Sequence, residues 1–231
     1  MSPSLTVWSD TEVWRGAKLT ERKTRLKQAA GLENFRLRVE DVPAVLDQLE
    51  KWNVEGQPFA KRFDLSKIGM SGHSFGAVTT QAVSGQEYRI GKKITEPRVK
   101  AAVVMSPSGP AMGDPKQSFG NVSIPWLLMT GTKDGSPISN TTPESRLVVF
   151  PALKAGDKYE LVLKDAEHSV FTDRKLPGEK EQRDPKHHRA ILALTTAFWD
   201  AYLRGDSAAK TWLDGEGAKS VLAKEDMWRK K

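Results

Sequence analysis

The chain has 231 residues, 38% of them hydrophobic and seven of them Trp, enough for one sizeable core and too apolar for a disordered chain. It has no Cys, which excludes disulfide staples, a thiol nucleophile and Cys-based zinc sites. The net charge of +7 sits mainly in residues 15–38 and 224–231, where bases interleave with acids and no nucleic-acid motif occurs; a solvated surface without a nucleic-acid partner is the expectation.

No apolar run approaches the ~20 residues of a membrane span, and residues 1–8 lack the charged-then-apolar layout of a signal peptide. Residues 39–52 place Val42, Val45, Leu46, Leu49 and Trp52 at helical spacing. Pro43 then has to sit in the first turn, with Glu40 or Asp41 as cap. Residues 67–70 read as a short strand and 77–83 as the helix after it. Residues 99–105 and 124–130 are near-continuous apolar runs, as in parallel strands buried on both faces. Loops 106–110 and 131–135 follow them. Residues 159–163 form a further strand, followed by 164–168, and 188–203 a last amphipathic helix closed by Gly205.

This alternation predicts an α/β fold with a mainly parallel sheet flanked by helices, in one domain over 1–231. Residues 1–34 form an atypical basic segment and 214–231 a C-terminal tail. In such sheets chemistry collects beyond the carboxyl ends of the strands. Ser74, Asp134 and His168 all fall there.

Ser74 lies in Gly72-His73-Ser74-Phe75-Gly76, a Gly-x-Ser-x-Gly string between a predicted strand and a predicted helix. That context defines a nucleophile elbow: a strained turn exposes the hydroxyl, and the helix behind it aims N–H groups at a developing oxyanion. A Gly-rich turn with an incidental serine would give the same string. The chain order Ser, Asp, His argues against that reading. A serine hydroxyl needs a base in reach, and the base a carboxylate to fix its tautomer. His168 is assigned as base and Asp134 as its partner. The rival carboxylates are Asp114 and Asp165, the latter too near His168 along the chain. His73 is expected in packing or a rim hydrogen bond; His187 and His188 are expected in solvent. No metal or cofactor site is expected, since no third ligand joins His187 and His188, and no phosphate-cradling loop occurs.

The run 64–77 resembles the elbow of dienelactone-hydrolase-like and platelet-activating-factor-acetylhydrolase-like bacterial serine esterases of the α/β-hydrolase superfamily. Residues 101–107, 124–134, 165–171 and 197–203 are similar as well. The resemblance spans about 35–213 and implies an esterase with the triad Ser74, His168 and Asp134. True dienelactone hydrolases use a cysteine, so the serine implies ordinary esters. It also implies an oxyanion hole of two donors: the backbone N–H of Phe75, and a second from an upstream His-Gly loop that this chain lacks. The family's N-terminal strands are missing too, residues 5–10 matching only the segment after those strands. The expectation is therefore a fragment or late-start translation of a longer enzyme, whose compartment stays unassigned and whose open sheet edge a second copy, as a homo-oligomer, would cover.

Phe75, Met105, Ser108, Ile138, Val170 and Phe171 flank the three site positions and form the candidate pocket, each equally readable as core. Their apolar bias suits a short-acyl or aromatic ester as the small-molecule substrate. An amidase or acyltransferase using the same triad, or a non-catalytic remnant, remains open.

Overall fold

The computed structural model describes residues 18–88, 94–176 and 178–231, so the stretches 5–10 and 15–17 singled out above lie outside the described residues. The described residues fall into two compact units, one made of those up to Asp64 with Pro137–Asn140, the other of those from Leu65 to Ser136 and from Thr141 to Lys231.

In the first unit, helix α1 spans Leu19–Ala29 and α2 spans Leu32–Trp52. The expected start near residue 39 is therefore too late. Leu, Glu and Arg in 32–38 are good helix formers and carry the helix upstream, which leaves Pro43 inside it. The helix forgoes the one hydrogen bond that Pro43, lacking an N–H, cannot give to Val39. Beyond α2, Asn53 grips Phe63 in both directions, donating to its carbonyl at 2.8 Å and accepting from its amide at 2.9 Å. Trp52, Phe59 and Phe63 follow ring on ring at 5.8 and 5.6 Å.

The second unit is built on strand β2, Val99–Met105, where Lys100 alone is exposed and the other residues are wholly or largely buried. A strand so apolar needs cover on both faces. Its neighbours are β1 (Ile68–His73) and β3 (Trp126–Lys133), followed by β4 (Lys158–Glu167) and β5 (Met227–Lys230). The sheet order is β1-β2-β3-β4-β5, parallel except for β5. Alternation along the strands sorts side chains to two faces. Ala101, Val103, Leu127, Met129, Leu161 and Leu163 pack with Leu194 and Phe198 of α7 (Pro185–Trp199) and with Leu213 of α8 (Ser207–Asp214). Ala102, Val104, Trp126 and Leu128 pack on the other side with Ala77 of α3 (Phe75–Val83), Phe119 of α4 (Pro115–Phe119) and Val149 of α6 (Val149–Ala152). Helix α5 (Pro143–Arg146) lies between β3 and α6 in the chain. The α/β architecture, a mainly parallel sheet with helices on both faces, follows.

The 214–231 segment is more than a solvated tail. After α9 (Glu216–Lys219), β5 pairs antiparallel with β4, and Arg229 reaches the buried Glu160 through Nε at 2.7 Å. A strand reading Met-Trp-Arg-Lys hides its pairing because Arg229 faces a buried carboxylate. At the opposite edge, β1 has β2 as its one strand partner among the described residues and is half exposed along its length. No described helix is long and apolar enough to cross a membrane.

Candidate active site

The pairings His73 with Met105 and Met105 with Met129 bring the carboxyl ends of β1, β2 and β3 level. Between Gly131 and Lys133 the pairing with β4 shifts register, so β4 runs on through residues 164–167. Such a bulge bends a strand and re-aims the residues beyond it. Here it immediately precedes Asp134 on one strand and His168 on the other.

Ser74 has φ 58° and ψ −116°, a conformation that costs a non-glycine residue on the order of 1–3 kcal/mol and persists only where its surroundings impose it. The imposing contact is visible at Gly72, where a Cβ would lie 2.2 Å from the carbonyl oxygen of Gly76. Only glycine lets strand and helix approach so closely. Gly76 itself needs no such freedom, since a Cβ there meets nothing within 4 Å. Ser74 caps α3 but its hydroxyl makes no capping hydrogen bond; it is engaged by His168.

The Ser74 Oγ lies 2.8 Å from His168 Nε2, and His168 Nδ1 lies 2.6 Å from Asp134 Oδ1. Both His168 and Asp134 are buried. The second carboxylate oxygen of Asp134 accepts from the Thr130 hydroxyl at 2.8 Å. Burial pushes the Asp134 carboxyl up, but the hydrogen bond to His168 and the charge of Arg146 outweigh it and hold the carboxyl below its ordinary range. An ionised Asp134 at 2.6 Å fixes the His168 proton on Nδ1 and leaves Nε2 to accept from Ser74.

The rivals are occupied elsewhere. Asp114 caps α4 by accepting from the Lys116 amide at 2.9 Å, and Asp165 pairs with Lys133 at 3.0 Å. His73 turns from Ser74 to the 3-10 turn His168–Phe171, donating from Nε2 to the His168 carbonyl at 2.9 Å. A carbonyl only accepts, so this proton is fixed as well. Burial above all, then the neighbouring His168, bring the His73 pKa down to about 4. His187, expected in solvent, is buried, while the exposed His188 donates to the Val170 carbonyl at 2.8 Å.

Among the candidate pocket residues, Phe171 is half-buried, 5.4 Å ring to ring from His73. Met105 is half-buried and its carbonyl accepts from the Ser74 amide at 3.1 Å. Ser108 is gripped by Gln81, which accepts from its amide and donates to its carbonyl, each at 2.9 Å. Val170, equally readable as core from the sequence, is buried and belongs to the core cluster that includes Leu163 and Leu194. Ile138 belongs to the segment Pro137–Asn140, grouped with the helical unit. Phe75 is the first residue of α3, so its amide sits at the positive end of the helix dipole.

Three residues escaped the sequence reading. Arg146, 2% exposed, donates from Nε to the Asp134 carbonyl at 2.7 Å and from Nη1 to the carbonyls of Ser106 and Pro107 at 2.8 and 3.0 Å. Glu179 accepts from the Ser169 and Leu176 amides at 2.7 and 2.9 Å, and Arg183 donates to the Ser169 carbonyl at 2.8 Å. Together they brace the turn that begins at His168. Nothing in the local string distinguishes Arg146 from a surface arginine. The described residues hold no group of three or more His, Asp or Glu able to bind a metal.

No protein-family model matches the chain, and no curated protein is significantly similar to it.

Proposed function

We propose that the chain is a serine carboxylester hydrolase of the α/β-hydrolase type, allied to the dienelactone-hydrolase-like and acetylhydrolase-like bacterial esterases. It acts through an acyl-enzyme on short-acyl or aromatic esters. The observation that supports this reading is the unbroken hydrogen-bonded line from Ser74 Oγ through His168 to Asp134.

In this chemistry His168 Nε2 takes the Ser74 proton as Oγ attacks the ester carbonyl carbon. Charge builds on the carbonyl oxygen, where the Phe75 amide at the start of α3 serves as donor. Collapse of the tetrahedral intermediate expels the alcohol, which leaves with the proton from His168. Water, activated by the same imidazole, then releases the acid and regenerates Ser74. The imidazolium formed in each half-reaction is stabilised by Asp134 and needs no cofactor. The half-buried, largely apolar rim of Phe75, Met105 and Phe171 favours an acyl or aromatic group over a sugar or phosphate.

The reading is tested by turnover of p-nitrophenyl acetate, of longer acyl esters and of the matching amides. Ester turnover that falls with acyl length and exceeds amide turnover is expected. Faster cleavage of amides would make the chain an amidase, and a folded chain that turns over none of them would overturn the proposal. One observation favours a second reading, a hydrolase-fold chain with weak or no turnover. The strand carrying Ser74 is an edge strand among the described residues, and Phe75 is the one oxyanion donor assigned. Each such donor is worth about 10²–10³ in kcat.

A further inference from the structure

A serine, a histidine and an aspartate in line do not call for a fourth charge, yet a guanidinium is built against their buried end. Arg146 ends α5, whose start is fixed by a capping box between Thr142 and Ser145. Its Nε lies 3.1 Å from Asp134 Oδ1, the oxygen that also faces His168, and its Nη2 lies 3.3 Å from His168 Nδ1. The latter contact is no hydrogen bond when Nδ1 carries the proton it gives to Asp134, because both atoms are then donors. The shorter 2.6 Å approach of Asp134 decides that competition. What remains is a fixed positive charge beside a ring that must become positive during the reaction.

We propose that Arg146 is a positioning residue that locks the Asp134 carboxylate toward His168 and so fixes the orientation in which His168 presents Nε2 to Ser74. The proposal rests on the hydrolase reading for its purpose but not for its measurement. Arg146 Nε lies 2.7 Å from the Asp134 backbone carbonyl and 3.1 Å from its Oδ1, so one N–H holds both the loop and the carboxylate it carries. The guanidinium suits the task because its planar fork holds Asp134 with one edge and the Ser106 and Pro107 carbonyls with another.

The other groups around His168 leave this role to Arg146. From β1, the His73 ring lies 4.7 Å away and, with its pKa lowered to about 4, is neutral over the working range. From the segment after the 3-10 turn, Glu179 and Arg183 bond Ser169, the next residue, and offer opposite charges to it. From α7, His188 bonds Val170, and His187 is buried in the first turn of the same helix.

The test compares Arg146→Gln, which removes the charged fork, with Arg146→Lys, which keeps the charge. The hydrogen bond from His168 to Asp134 is followed by NMR through the His168 Nδ1–H signal, and kcat and KM on p-nitrophenyl acetate are recorded beside it. In Arg146→Gln the Nδ1–H signal is expected to shift upfield and weaken, with kcat lower by up to about 10²-fold and KM near the parent value. In Arg146→Lys both are expected to return part of the way to the parent. Arg146→Gln keeping the parent signal and kcat, or both variants losing them alike, would reduce Arg146 to a structural brace. In the parent protein, the Arg146 Nε–H signal is expected to be protected from exchange with water. Rapid exchange there would overturn the proposal without any variant. A parent chain with the Nδ1–H signal in place that hydrolyses no ester would instead count against the hydrolase reading and leave the Arg146 assignment standing.

Discussion

Replacing His73 with Gln isolates how far acid sensitivity originates beside the nucleophile. In the folded protein the His73 pKa is lowered from 6.5 to about 4, with burial as the largest cause. The unfolded chain therefore binds a proton between these values that the folded chain refuses. Stability from this source is complete above pH 6.5, falls as the pH drops toward 4, and levels off below. Linkage puts the loss at about 2 kcal/mol by pH 5 and about 3 kcal/mol by pH 4. Gln keeps an amide N–H to offer the His168 carbonyl, where His73 now donates at 2.9 Å, but it does not titrate. Urea unfolding of parent and variant at pH 4, 5, 6 and 7 gives the difference directly, and carboxylate titrations common to both cancel. The stability advantage of the parent over the variant should decline by about 3 kcal/mol from pH 7 to pH 4. A pH-independent difference would refute the argument and place the His73 ring in contact with water.

Three further outcomes follow from the geometry. Asp134→Asn should lower kcat by about 10⁴-fold through loss of the His168 tautomer, whereas Asp165→Asn and Asp114→Asn should leave steady-state kcat/KM near the parent value. Gly72→Ala puts a Cβ 2.2 Å from the Gly76 carbonyl oxygen; a chemical unfolding curve should show a loss of about 1–3 kcal/mol, and the displaced Ser74 a roughly 10²-fold lower rate. Gly76→Ala, in open space, should change neither. Arg229→Met strips the fully buried Glu160 of its partner, an uncompensated charge worth about 3 kcal/mol. Burial holds the Glu160 carboxyl above its ordinary range, so stability is greatest below the ordinary value of 4.5 and the loss should grow as the pH rises above it, as thermal unfolding at both ends can check.

The elements legible in the sequence are those whose chemistry is local. Residues 99–105 announce a doubly covered strand because six of seven side chains are apolar, and β2 occupies those limits. Ser74, Asp134 and His168 can be singled out because strand ends are where α/β sheets expose side chains, and the structure brings the three within hydrogen-bonding distance in one line. Features decided by distant partners are not legible. β4 continues through the mostly charged residues 164–167 because a bulge and the close approach of Gly131 to Ala166 hold it. β5 forms from a charged string because Glu160 waits on β4. Arg146 reads as any arginine until the fold closes three loops around it. Pro43 misleads in the opposite sense, since the helix formers on both sides of it outweigh a lone breaker.

The central claim is that Ser74 is a nucleophile activated by His168. It is tested most directly by exposing the chain to a fluorophosphonate probe and locating the adduct by mass spectrometry. The account predicts one phosphonylated site, at Ser74, formed more slowly as the pH falls and absent in Ser74→Ala. A folded parent chain that takes up no label, or takes it up equally in Ser74→Ala, would contradict it.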